Sequence, residues 1–478
     1  MIMIHQRCSN SNCNSSSSTK NNYNLNDELV ILVIGACTLD RSLVVPSYPT
    51  EDSKVRATAY HEGGGGNASN TAAALAKLSS SSSSYSSSIV MNLLGGTYGR
   101  NVRVKILSKV GSDPIGYQLR SELEQTGVDV SFLIHQTQAT SSHTTILVSS
   151  EDTTRTCIHF PGTCGELTTL EEEISSLDDI FRNVIWVHFD TRHTDFSLAL
   201  AKEAVRRSIP NISVDIEKDR GPTMAELINL ATICFISATH LHSLVERTTK
   251  YDTSVVHENN WDSSTTMDKD NLTIIIKATM LCHHFCYQVG QFHKEVIVTD
   301  GENGSFHVKH YRTTATAGNS SSGIIKSTYD ATEHTVTLYE AKEVIATSSE
   351  RVSERLEKIP ESEAKRTIYQ IHCAGALRNI HVVDTTGAGD CFIAGFILSS
   401  MLLNKAAEIH KNDISGKNGS VSIEDLSLMI GSWVAGKKIG GLGTRASLPS
   451  GIDLDREVGA SSITDLVTLR DALKKIVV

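Results

Sequence analysis

The stretch His381-Val-Val-Asp-Thr-Thr-Gly-Ala-Gly-Asp390-Cys-Phe-Ile-Ala-Gly-Phe-Ile397 decides how this chain is read. The run Ile380 to Val383 predicts a short buried strand, Gly387-Ala388-Gly389 a tight turn, and the residues from Asp390 to about Leu403 an apolar helix. A turn of small residues at a helix start leaves backbone N–H groups unpaired, and the helix dipole adds partial positive charge there. Such a place accepts a phosphate. Asp390 sets a carboxylate beside it, and a base next to an anion hole made by Gly387, Ala388 and Gly389 suits phosphoryl transfer to a hydroxyl. The plainer alternative is an acid near a helix start and glycines that only make a turn.

Outward from that string, strands and helices alternate. Val30 to Ile34, Val102 to Val110, Val184 to Phe189, Ile212 to Ile216, Thr232 to Ile236 and Val296 to Thr299 read as strands. Asn67 to Leu78, Pro114 to Thr126 with Gly127 in the stop position, Asp195 to Ser208, Ile423 to Ile439 and Ile463 to Ile476 read as helices. This rhythm predicts an α/β fold with a mostly parallel sheet. Residues 79–88, 248–270, 319–365 and 411–420 are polar, serine-rich or charged and read as surface insertions, with one β-like run at Thr335 to Tyr339. Residues 1–27 are rich in Ser and Asn and read as a disordered tail, leaving 28–478 as one domain.

The chain has 478 residues, enough apolar content at 40% for a large core, and a net charge of −10 that argues against nucleic acid as a partner. The longest apolar run falls short of the ~18 residues a membrane span needs. Ten cysteines are scattered without a paired framework, which suits a reducing compartment such as the cytoplasm. The Ser-rich, acid-poor start leaves a plastid or other organelle as the alternative.

A second constellation, His61-Glu-Gly-Gly-Gly-Gly66-Asn67-Ala-Ser-Asn70, reads as a glycine turn feeding a helix. Asn67 and Asn70 share one face at the helix start, and their amides match sugar hydroxyls. The alternative is a flexible loop with an asparagine cap.

Asp384-Thr-Thr-Gly-Ala-Gly-Asp390 resembles the C-terminal signature of the ribokinase-type (PfkB) carbohydrate kinases, and Gly65-Gly-Asn-Ala-Ser-Asn70 resembles their N-terminal one. Further strings extend the likeness. Val33 to Asp40 is similar to the first strand with its sugar-binding aspartate, and Pro49 to Arg56 to the approach to a lid. Trp186 to Arg192 is similar to a strand end carrying a substrate-side arginine, and Ser213 to Lys218 to the next strand. Val434-Ala-Gly-Lys-Lys-Ile439 resembles an adenine-side helix, and Thr299-Asp-Gly301-Glu-Asn-Gly304 a nucleotide turn. Within the family, ketohexokinase is the nearest likeness.

That resemblance implies a three-layer α/β/α fold with a small β lid from about 41–62 and 140–165. It implies ATP, Mg²⁺ and often K⁺, and a homodimer formed through the lids. It places Asp40, Gly66, Asn67, Asn70 and Arg192 on the sugar, and Thr299, Gly301, Gly304, Ala435, Gly436 and Ile439 on the nucleotide. The family's Asn-x-x-Glu motif is replaced here by Ser237-Ala-Thr-His240, so the metal ligands stay unassigned. The implied activity is phosphorylation of a ketohexose such as fructose. A kinase of ribose, a nucleoside or another small alcohol, and a noncatalytic binding or regulatory relative, stand as alternatives.

Two strings mislead. Gly431-Ser-Trp-Val-Ala-Gly436-Lys437-Lys438 nearly spells a P-loop, but it lies inside a periodic apolar helix and lacks the closing Ser/Thr. Cys282-His283-His284-Phe285-Cys286 suggests metal ligands, but it sits on a helix over about 272–289 where some of these side chains face the core.

Overall fold

The computed structural model describes residues 28–80, 102–151, 154–168, 176–248, 269–288, 294–314, 324–330, 335–340, 365–409 and 421–477. The predicted tail and the stretches 81–88, 249–268 and 411–420 lie outside them.

Two sheets carry the architecture. The strands in chain order are β1 (Leu29–Ile34), β2 (Thr38–Val45), β3 (Ala59–Gly65), β4 (Val102–Gly111), β5 (Asp129–Gln136), β6 (His143–Ser149), β7 (Arg155–Phe160), β8 (Val184–Phe189), β9 (Asn211–Ile216), β10 (Ile233–Ser237), β11 (Glu295–Thr299), β12 (Ser305–Thr314), β13 (Ile324–Asp330), β14 (Thr335–Glu340) and β15 (Lys365–Ala374). The helices are α1 (Asn67–Ser79), α2 (Pro114–Gln125), α3 (Leu177–Phe181), α4 (Thr194–Arg206), α5 (Pro222–Leu230), α6 (Ala238–Thr248), α7 (Lys269–Gln288), α8 (Ala388–Ile409), α9 (Ile423–Ile439), α10 (Gly451–Val458) and α11 (Leu466–Ile476).

The large sheet runs β13-β14-β15-β12-β11-β10-β9-β8-β1-β4-β5. Its β11-to-β5 portion is parallel throughout, and β12 to β15 continue it antiparallel. Buried alternation in β1 shows why it is central. Leu29, Ile31 and Val33 join the core under α1, α8 and α9, while Val30, Leu32 and Ile34 join the opposite core under α4 to α7. The result is the expected three-layer α/β/α arrangement. The chain leaves β1 toward β4 and β5 on one side, then resumes at β8 on the other. The carboxyl ends of β1 and β8 therefore diverge, which is where open α/β sheets place ligands.

The second sheet is small, ordered β3-β2-β6-β7, with β2 and β6 parallel at its centre and an antiparallel strand on each side. Every residue of β7 is exposed.

The structure departs from sequence expectation at three places. Ile380 to Val383 forms no strand. Val382 and Val383 are 54% and 41% exposed, and the N–H groups of Val383 and Asp384 bond to the carbonyl of Ile439 at the end of α9. The strand before α8 is instead β15, ten residues long and paired with β12. Gly63 to Gly65 are strand and not turn, paired with Asp40, Leu39 and Thr38; Gly66 alone makes the bend, at φ 91°. Within 319–365 there are two strands where one was expected, and both add to the edge of the large sheet.

The near-P-loop glycines have a packing explanation. A Cβ on Gly395 of α8 would lie 2.9 Å from Gly431 Cα of α9, and one on Gly436 would lie 2.5 Å from Leu377 Cβ. Gly395 and Gly431 let α8, the apolar centre of its layer, cross α9 closely, and Gly436 makes room for Leu377 after β15. Cys37, Cys157, Cys164, Cys234, Cys373 and Cys391 form no disulfide. Among the described residues, no helix is long and apolar enough to cross a membrane.

Candidate active site

A cavity of about 590 Å³ opens at the carboxyl ends of β1, β8, β9 and β10, and β2, β6 and β7 of the small sheet form its far wall. The α8 N-terminus forms its floor. Gly387 bends the chain into α8 at φ 76°, and a Cβ there would meet Thr444 Cγ2 at 2.3 Å, so glycine is required. Among the described residues, the N–H groups of Gly387, Gly389 and Asp390 have no hydrogen-bond partner, whereas that of Ala388 donates to Thr385 O at 3.2 Å. Of the expected anion-hole residues, Ala388 is thus the one whose amide is already engaged.

Asp390 lies in the first turn of α8, lines the cavity and is 6% exposed. Asn70 Nδ2, from the second position after the first turn residue pair of α1, donates to its Oδ2 at 2.8 Å. This bond joins the two sequence signatures across 320 residues. Burial pushes the Asp390 carboxyl up to about 7, against the opposing pull of Asn70 and with help from Glu217, Asp190 and Asp40. A carboxylate with such a value is suited to take a proton near neutral pH.

Asp40 lies on β2 at the cavity wall, 9% exposed. Burial pushes it up to about 6, and Arg445 draws it back. The glycines opposite it now make sense. A Cβ on Gly65 would fall 2.0 Å from Asp40 Oδ2, and one on Gly64 would fall 1.9 Å from Arg445 Nη1. The bare strand makes room for a carboxylate and a guanidinium. Asn67 is at the start of α1 with Nδ2 3.4 Å from Asp215 Oδ2 of β9. Arg192 lines the cavity and its Nη1 stands 3.7 Å from Glu166 Oε1.

The nucleotide residues separate. Thr299 lines the cavity at the end of β11. Gly301 and Gly304 shape the turn after it, both at positive φ. Ala435 and Gly436 face neighbouring apolar residues within the layer of α8 and α9, and Ile439 receives the bonds from Val383 and Asp384; none of these five lines the cavity.

Sequence reading missed five residues. Asp190 follows β8, 1% exposed; its Oδ2 accepts from Ala36 N at 2.8 Å and Ala68 N at 3.0 Å, and its Oδ1 from Arg192 N at 2.9 Å. It clamps the end of β1, the start of α1 and the Arg192 loop. Its signal was its place directly after an apolar strand. Asp215 faces the cavity from β9, pushed well up by burial and by Asp390. Arg445 donates from Nη2 to Ser69 Oγ at 2.7 Å and Gly65 O at 3.2 Å. Arg155 of β7 reaches from the small sheet to Thr385 Oγ1 at 2.7 Å, directly at the anion loop. Lys438 lies beneath that loop, fully buried. The last three had no local signal, since each acts on a segment distant in sequence.

The metal-like string on α7 disperses. Cys282 Sγ donates to Lys294 O at 3.2 Å, and His283 Nδ1 bonds Tyr369 OH at 2.7 Å. Among the described residues no group of three His, Cys, Asp or Glu side chains could hold a metal.

A base, an anion loop and a polar cavity on a three-layer α/β/α frame define a phosphotransferase-like class of site. The sequence profile of the pfkB family carbohydrate kinases matches residues 29–320, well over half of the chain. The chain belongs to that family and is a kinase. The match stops before Asp384, so the roles of the second signature rest on the geometry above. The ribokinase of Giardia lamblia superposes with a TM-score of 0.57 at 16% identity, over 90% of this chain and 99% of that one. The Arabidopsis thaliana ribokinase, solved with ribose and ATP, gives 0.53 at 17% identity, over 90% and 98%. The nucleoside kinase of Methanocaldococcus jannaschii gives 0.51 at 16%, over 93% and 98%. At such identities the likeness is one of fold. No curated protein sequence shows significant similarity to the chain.

Proposed function

We propose that the chain transfers the terminal phosphoryl group of ATP to a hydroxyl of a free ketohexose such as fructose. The observation that carries this reading is the Asn70–Asp390 hydrogen bond at the floor of the cavity, which brings the sugar-side helix and the base together. Asp40, Asn67 and Asn70 hold sugar hydroxyls, Gly66 lets the chain turn close to the sugar, and Arg192 meets the far side of the substrate. Asp390 accepts the proton of the attacked hydroxyl. That oxygen attacks the terminal phosphorus, ADP leaves, and the free N–H groups of Gly387, Gly389 and Asp390 meet the charge on the transferring group.

Mg²⁺ fits this site in the way it usually binds, through one or two carboxylates and water. Asp215 and Glu217 line the cavity and are the residues that would hold it. When bound it neutralises phosphate charge. Thr299, with the Gly301–Gly304 turn beside it, is the nucleotide-side contact of this reading; Ile439 instead holds the segment that leads into the anion loop, through its bonds from Val383 and Asp384. The small sheet acts as a lid whose closure keeps water from the phosphoryl group. Tyr60, Ile158 and Phe160, exposed on that sheet, support a homodimer through the lids.

The test is an ADP-release assay of the full chain over fructose, other ketohexoses, ribose, adenosine and small polyols. Turnover with fructose well above the others is expected. Preference for ribose or adenosine would move the assignment within the family, and silence with every acceptor would defeat it.

A further inference from the structure

The anion loop stands on a buried charge pair that the mechanism above does not use. Asp384 opens the loop, and its side chain is 2% exposed. Its Oδ1 accepts from Thr386 N at 2.9 Å and its Oδ2 from Gly443 N at 3.0 Å. Lys438 Nζ, fully buried at the end of α9, donates to the Asp384 carbonyl at 2.7 Å and stands 3.8 Å from Oδ2. The Lys438 carbonyl in turn accepts from Ser447 Oγ at 2.8 Å. Burial alone would raise the Asp384 carboxyl, but Lys438 and the amides of Thr386 and Gly443 outweigh it and hold it below its ordinary value.

These bonds fix two segments against each other. One is Asp384 to Gly387, which leads into the anion hole. The other is the 440–447 turn, which presses Thr444 against Gly387 and sends Arg445 to Gly65 and Ser69 on the sugar wall. In both segments Asp384 is the sole carboxylate. The family resemblance implied a monovalent cation such as K⁺. A cation of that kind needs a cage of free oxygens, and at this carboxylate each oxygen already accepts an amide while an ammonium stands beside it. A second cation there would face Lys438 across a water-poor gap.

We propose that Lys438 is a built-in cation: a positioning residue that organises the anion loop as a bound K⁺ would, so that this chain works without a monovalent cation. The proposal rests on reading Gly387 to Asp390 as the anion hole of the kinase. It requires no acceptor to be known, because the loop's order is read by nucleotide binding.

The experiment compares the full-length wild type in KCl and in choline chloride at equal ionic strength, with MgADP as the probe. Calorimetry should give ADP affinities that agree within about twofold, and melting temperatures should coincide. Lys438→Met should weaken ADP at least about tenfold and lower kcat far more than it raises the sugar KM, with Lys438→Arg recovering part of both. A K⁺-dependent gain in wild-type ADP affinity of about fivefold or more overturns the proposal. So does a folded Lys438→Met with wild-type affinity and kcat. If Lys438→Met does not fold, the wild-type salt comparison and the charge-free double variant Lys438→Met/Asp384→Asn decide, the latter expected to fold and bind ADP weakly in either salt. Absence of turnover with every acceptor would defeat the functional reading while leaving the ADP comparison intact.

Discussion

Asp390 concentrates the residue-scale chemistry, and its environment makes opposing demands on activity and stability. Its folded-state value of about 7 lies above the ordinary carboxylate value of 3.8. The folded chain therefore holds a proton between about pH 4 and 7 that the unfolded chain releases, so this group favours folding at low pH and loses that contribution as pH rises through 7. At pH 8 its ionised form costs stability. Asp390→Asn should lower kcat by ~10²–10⁴ yet raise unfolding free energy at pH 8 by about 1–4 kcal/mol, a gain that disappears near pH 4 and is measurable by denaturant titration at the two pH values. The wild-type kcat/KM should rise as pH climbs through about 7, because the base must be ionised.

The string around Asp390 was legible because turn, helix start and carboxylate are contiguous. Asn70 was legible because the glycines before α1 are, and Asp40 through the likeness of Val33 to Asp40 to a family strand. Arg155, Lys438 and Arg445 were not, because a side chain that reaches across the fold leaves no mark on its neighbours in sequence. Ile380 to Val383 misled because β-branched and apolar residues also suit an extended connection that hangs on the end of a helix.

At the scale of elements, the glycine strand β3 and the crossing of α8 with α9 both depend on missing side chains, with different consequences. Gly65→Ala drives a Cβ into the Asp40 carboxylate, 2.0 Å away. It should raise the sugar KM at least about tenfold with a smaller change in the affinity for ADP, as steady-state kinetics and calorimetry would show. Gly395→Ala instead overpacks α8 against α9, meeting Gly431 Cα at 2.9 Å. It should destabilise by ~1–3 kcal/mol in urea unfolding while turnover per folded molecule is retained. Caps and periodicity placed α1, α2, α4, α7, α9 and α11 to within a few residues, whereas α8 runs on to Ile409 and α3, α5, α6 and α10 were not read; Ser422 caps α9 by accepting from Asp425 N, for example. Gly63 to Gly65 were misread because glycine in a strand has no pattern of its own, and only the partner strand reveals why it is there.

At the scale of the whole molecule, Arg155 connects the small sheet to Thr385 at the anion loop. Arg155→Ala should loosen that closure, so a larger share of ATP is lost to water; comparing free phosphate with sugar phosphate in the same reaction measures it. The parallel order of the large sheet followed from alternation of strands and helices, but its extension by β13 and β14 did not, because the stretch that holds them reads as exposed chain apart from the β-like run at Thr335 to Tyr339.

The small sheet has a consequence for the order of assembly. Its central neighbours, β2 and β6, lie about a hundred residues apart and run side by side in the same direction, so no local hairpin can produce that pairing. Its two hairpins can zip early, but they can meet only after β4, α2 and β5 have folded between them. Pulse-labelled refolding should therefore protect amides of β1, β4 and β8 first and those bridging β2 to β6 last, making catalytic competence the final event of maturation.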